Sequence, residues 1–88
     1  MSSHNKPIRI SGHARDQLRF RGGTEAEVIE AIRVEPWGPA ELDRLECRRS
    51  FPFNDVWNRS WYGTKQVRPI FVDEVNEIVV VTVYVHYF

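Results

Sequence analysis

The chain has 88 residues, 42% hydrophobic and 12% aromatic, and its twelve Lys plus Arg are balanced by twelve Asp plus Glu. That length holds one core and leaves no room for a second, and the composition is that of a globular domain, not a disordered tail. A formal charge of zero argues against a protein that coats nucleic acid by charge alone, because phosphate binding draws on a cationic excess.

Cys47 is the only cysteine. An internal disulfide is excluded, and a reducing, cytoplasmic compartment is expected. The polar N-terminus has no signal-peptide pattern, and the longest apolar run is about half of the ~20 residues a bilayer span needs, so a soluble protein without a membrane partner is expected.

Residues 1–6 are polar and read as disordered, the rest of 1–88 as a single domain. Ile8 and Ile10 flank Arg9 as in a short edge strand. Ser11 can cap a helix from about His13 to Phe20 or Arg21, with Ala14 and Leu18 four apart on its apolar seam. Gly22-Gly23 ends it. Thr24 and Glu27 have the spacing of a capping box, and Glu25 and Glu27 suit the positive end of a helix dipole. Val28, Ile29 and Ile32, with Ala31 alongside, make the buried side of this second helix, and Pro36 closes it. Residues 11–35 therefore read as a helical hairpin with a two-glycine joint.

Beyond the turn-rich Pro36-Trp37-Gly38-Pro39, residues 42–88 read as a β-meander. Leu45, Cys47, Arg49 and Phe51 alternate with Glu46, Arg48 and Ser50, which makes Cys47 a small buried residue. Pro69, inside the strand region 65–72, implies an edge position or a bulge. Asp73 to Glu77 turns the chain into a last strand, 78–88, too β-branched and aromatic to prefer a helix. Strict alternation gives it an apolar stripe of Val79, Val81, Val83, Val85 and Tyr87, expected to face the helices, and sets Thr82, Tyr84 and His86 side by side on the other face. The expected fold is α+β, with two N-terminal helices packed on one face of a three- to four-stranded antiparallel sheet.

Several groups could carry chemistry. His13-Ala14-Arg15 begins a helix, where free amides attract anions and an imidazole suits proton transfer; it is equally an ordinary polar helix start. Lys65 and Arg68 could reach the Thr82/Tyr84/His86 row across the sheet, or protect an edge. Arg44, Arg48 and Arg49 carry the same ambiguity. The aromatic set of Trp57, Trp61, Tyr62, Tyr84 and Tyr87 could stack bases, fill a core or seal a partner interface. His4, His13 and His86 are far apart, with no second cysteine and no close ligand pair, so neither a metal nor another cofactor is expected.

His13-Ala14-Arg15, Leu18, Arg21-Gly22, the acidic helix with Val28 and Ile32, and the closing Val80-Val81-Thr82-Val83-Tyr84 resemble the bacterial domain-of-unknown-function family 4258. That family looks related to the RelE-like toxins, small metal-independent ribonucleases with a helix-helix-sheet layout. Where the family has an Arg-Gly-Ile-Ser joint, this chain has Arg21-Gly22-Gly23-Thr24, and its middle segment 46–54 is longer and more aromatic. The resemblance implies a toxin of a toxin–antitoxin system that cleaves RNA by 2′-hydroxyl attack, with an antitoxin as protein partner. Carried onto the matching positions, it implies roles for His13, Arg15, Thr82 and Tyr84. Our own placement adds Lys65 and Arg68 to neutralise the transition state and His86 as a second acid/base group. The competing expectation is a non-catalytic binding module or homodimer that uses the aromatic C-terminal strand.

Overall fold

The caps written into the sequence set the helix ends. The computed structural model describes residues 5–88, so His4 and most of the segment read as disordered lie outside the described residues. After a short strand β1 (Ile8–Ile10), helix α1 runs Gly12–Arg21 and helix α2 runs Glu25–Val34. The Ser11 hydroxyl accepts the Ala14 amide at the head of α1. Gly22 stops that helix in the left-handed conformation, at φ 74°, and a Cβ there would sit 2.5 Å from the Tyr87 hydroxyl. Thr24 and Glu27 exchange both hydrogen bonds of the capping box at the start of α2. Ala14 and Leu18 on α1, and Val28, Ala31 and Ile32 on α2, are buried as the spacing selects, but Ile29, expected with them, is only half-buried because it lies one residue round the helix from Val28.

The remaining strands are β2 (Gly38–Pro39), β3 (Leu45–Glu46), β4 (Arg49–Trp57), β5 (Ser60–Asp73) and β6 (Ile78–Tyr87). The expected three- or four-stranded antiparallel sheet is corrected in two respects. The sheet has six strands in the order β1-β6-β5-β3-β2, with β4 also on β5, and it is mixed, because β1 runs parallel to β6. Alternation reports a strand but not its partner. Pairing the first strand with the last joins Ile8 to Ile78, a closure that no local signal encodes.

β3 and β4 share one edge of the long β5. Glu46 pairs with Ile70 and Arg49 with Val67, so the ladder is interrupted opposite Arg68 and Pro69. Pro69 is thus in a central strand, beside a break in the ladder and near a bulge, and not at a sheet edge. The bulge lies where Ile70 pairs with Thr82 but Phe71 with Val80, leaving Val81 as the extra residue. It breaks the expected odd-numbered stripe along β6 at Val79 and Val81, while Val83, Val85 and Tyr87 keep the expected face. An extra residue reverses the alternation, so the inward set is Ile78 and Val80 before the bulge and Val83, Val85 and Tyr87 after it. Ile78, Val80 and Val83 are fully buried.

The core lies between this face and the helices, with α1 over β6 and α2 over β5. Val67 and Phe71 of β5 and Cys47 complete it. Phe71 meets Trp37 edge-on at 5.0 Å, and the Trp37 indole donates to the Ile32 carbonyl at 2.9 Å. Full burial of a side chain like Phe71 contributes about 1.5–3 kcal/mol. The β4–β5 hairpin continues past the end of β6 as a two-stranded arm around an Asn58-Arg59 turn with φ values of 49° and 71°. Trp57 stacks on Tyr87 at 4.9 Å and Phe53 meets the same ring edge-on at 5.0 Å, which ties the arm to the helix joint. Among the described residues no helix is long and apolar enough to cross a membrane.

Candidate nucleic-acid interface

The sheet separates residues that the sequence only lists together. Lys65 points to the helices. It is 7% exposed, its Nζ lies 2.8 Å from Glu27, and it donates to the Gly22 carbonyl at 3.2 Å. Its ammonium is also 5.6 Å from the Phe53 ring. A cation committed in this way fixes the helix joint to the sheet. Tyr87 does the same from β6, donating to the Arg21 carbonyl at 2.7 Å. Its phenol is pushed up in pKa by burial first and by the Glu27 carboxylate second, so it stays a donor.

Among the described residues no helix lies over the opposite face. Arg68 on β5 and Thr82, Tyr84 and His86 on β6 project there, as alternation after the bulge requires. The Arg68 guanidinium is 4.7 Å from the Tyr84 ring centroid and donates to Glu46 on β3 at 2.8 Å. A second guanidinium reaches the same ring from α1. Arg21 donates to the Val83 carbonyl at 2.7 Å, along the stretch of β6 that the short β1 leaves uncovered, and sits 5.0 Å from the Tyr84 ring. Tyr84 is 43% exposed between these two cations. His86, the next residue on that face, stacks against Phe88 at 5.4 Å.

Two concavities meet at the Arg68–Tyr84 pair. The larger, of about 530 Å³, lies under the 40–44 turn and is lined by Leu42, Arg44, Ile70 and Thr82. The smaller, of about 400 Å³, is lined by Arg48, Gln66 and His86. Charge is divided between the faces. The α2 carboxylates are matched close by: Glu25 by Arg15, Glu27 by Lys65, and Glu30, with Glu35 just after the helix, by Arg49. The hydrogen bonds that Arg49 donates to Glu35 and Glu30 raise its pKa further. Arg21, Arg44 and Arg48, around the open groove, face no carboxylate within ion-pair distance among the described residues. Glu41 and Glu46 also line the larger concavity, so the surplus of positive charge around the groove rests on these three arginines.

Of the residues singled out from sequence, the groove gathers Arg68, Thr82, Tyr84 and His86. It does not gather the others. His13 is exposed on the first turn of α1 and makes no hydrogen bond or ion pair among the described residues, and Arg15 is turned to Glu25 at 3.3 Å. Neither lines the groove, and Lys65 is on the far side of the sheet. Arg21, which the sequence presents as a helix end and as one of a run of arginines but not as a site residue, joins the groove residues at Tyr84. Its position one turn-residue before the joint was visible; its reach around β6 was not.

Cys47 is buried, and burial pushes its thiol up to about 12, with Glu35 and Glu46 adding to the effect. It is a packing residue and not a nucleophile. No group of three His, Cys, Asp or Glu among the described residues is arranged to hold a metal ion. No family model, curated protein or solved structure matches the chain.

Proposed function

We propose that this chain is a small metal-independent endoribonuclease of the RelE-like toxin kind, and that its RNA lies across the helix-free face of the sheet. The observation that carries the reading is the Tyr84 ring held between Arg21 and Arg68 at the junction of two concavities. Guanidinium forks suit phosphate oxygens, and an exposed ring offers a stacking surface that any base can use.

Cleavage by internal transfer needs little more. The ribose 2′-hydroxyl gives up its proton and its oxygen attacks the adjacent phosphorus. The bond to the 5′-oxygen breaks and that oxygen takes a proton, leaving a 2′,3′-cyclic phosphate and a 5′-hydroxyl. Arg68, Arg21 and Arg48 stabilise the charge on the phosphoryl oxygens as it develops. His86 is the proton-transfer group, about 7 Å along the strand from Tyr84 on the same face. The Tyr84 hydroxyl is a second donor, and Thr82 orients the sugar-phosphate backbone.

The test is RNA cleavage by purified protein in the presence of EDTA. The wild type yields cyclic-phosphate ends; His86→Ala loses about a hundredfold or more in rate with RNA binding retained, and Tyr84→Ala loses binding. Equal cleavage by wild type and His86→Ala, or complete inhibition by EDTA, overturns the mechanism.

One observation favours the competing reading of a protein-binding module. Val56 and Trp61 pair across the arm and are 57% and 63% exposed. Growth arrest on expression, relieved by His86→Ala but not by Trp61→Ala, separates the enzyme from the module.

A further inference from the structure

The turn above the larger concavity is built against the preference of its own residue. Leu42 and Asp43 both have φ near 58°. The Arg44 amide donates to the Glu41 carbonyl at 3.2 Å and the Ala40 amide to the Arg44 carbonyl at 2.8 Å. This is a tight turn with two left-handed central residues, the geometry that Asn-Gly or Asp-Gly serves without strain. A leucine there crowds its Cβ against the backbone. Burial does not offset that cost, because Leu42 is 79% exposed. Leu42 instead lines the groove together with Ile70, Thr82 and Tyr84.

A strained backbone that holds a large apolar side chain over a groove points to a contact made by a ligand. We infer that the space between the 40–44 turn and the β5–β6 surface is a nucleobase seat, with Leu42 as its apolar wall. The inference rests on the reading of the open face as an RNA site and specifies where one base goes. The base lies with a flat face against Leu42 and Ile70. Arg44, which faces no carboxylate within ion-pair distance among the described residues, lines the same groove and supplies donors to the base edge or the neighbouring phosphate. The phosphodiester then crosses the Arg68–Tyr84 pair, and the next nucleotide falls beside Gln66 and His86. Leu42 is a binding residue in this arrangement and takes no part in bond making.

Leu42→Gly provides an informative test because the two roles of the residue predict opposite results for the fold. Glycine accepts φ near 58° freely, so the melting temperature is expected to hold or rise. Affinity for a short single-stranded RNA oligonucleotide is expected to fall about tenfold, the scale of one lost base contact. Leu42→Met keeps an apolar wall and is expected to restore most of that affinity. In a series of oligonucleotides carrying one abasic nucleotide moved along the strand, one position should weaken wild type about tenfold and Leu42→Gly hardly at all. Wild type that binds RNA with the same affinity as Leu42→Gly overturns the seat but leaves the RNA site standing. Leu42→Gly that melts lower and binds more weakly assigns Leu42 a structural role and also overturns it. Wild type that binds no RNA removes both readings.

Discussion

The two faces of the β5–β6 pair use neighbouring residues for opposite ends. On the helix side no buried polar side chain among the described residues lacks a partner. Lys65 is locked to Glu27 and Gly22, and Tyr87 to Arg21. On the open side Tyr84 lies between two guanidiniums, and among the described residues Arg44 and Arg48 face no carboxylate within ion-pair distance. Burial separates the two cases. A buried cation without a partner is expensive, so the fold completes its bonds, whereas a solvated arginine can wait for an anion. The contrast teaches that a lysine and an arginine three residues apart on β5 need not belong to one site.

Substitutions on the helix side should break the fold before they touch binding. The largest loss is expected from Gly22→Ala. The new Cβ would lie 2.5 Å from the Tyr87 hydroxyl and 2.7 Å from Trp57, on a residue with φ 74°. Crowding and a disfavoured backbone together should cost about 3 kcal/mol in a urea titration. An unchanged midpoint would mean that the aromatic arm is not seated on the joint.

Lys65→Met comes next. It keeps apolar volume but leaves the Glu27 carboxylate and the Gly22 carbonyl without their cation. Glu27 retains some solvent contact, with 18% of its side chain exposed, so the loss should be nearer 2 kcal/mol than the full cost of breaking a buried pair. RNA affinity of the folded variant should be unchanged. A selective loss of affinity would return Lys65 to the binding site.

The smallest effect tests the core beside the groove. The Cys47 thiol is raised from 9.0 to about 12 in the folded chain, so above pH 9 the unfolded chain loses its thiol proton first. The unfolded state then binds fewer protons and stability falls as pH rises, by at most about 1.4 kcal/mol per pH unit for this group, with no contribution below pH 9. Cys47→Ala should flatten that part of the alkaline profile, and an identical slope would show the thiol to be accessible in the fold.

Most local structure was legible in the sequence. Ser11, Thr24, Glu27 and Gly22 set the helix ends because capping depends on residues within one turn of each other. Val28, Ala31 and Ile32 could be read as buried for the same reason. The candidate site was legible only in part. The Thr82/Tyr84/His86 row survives because it lies wholly beyond the bulge. The stripe beside it fails at Val81, because one unpaired residue shifts the phase of everything before it.

By itself the sequence determined the two helices and where they stop, the long last strand, and that Thr82, Tyr84 and His86 share a surface. These follow from periods of 3.6 and 2 and from side chains that bond to their own backbone. But it read Gly38–Pro39 as a turn where the chain forms β2, and ran β3 and β4 together as one alternating segment. Only the tertiary structure decided that β1 runs parallel to β6, that Arg21 and not His13 or Arg15 reaches Tyr84, and that Lys65 and Arg68 part company. Those outcomes depend on groups brought together from far apart in the chain, 62 residues for Arg21 and Val83, and on which side of the sheet the helices cover, which no local periodicity records.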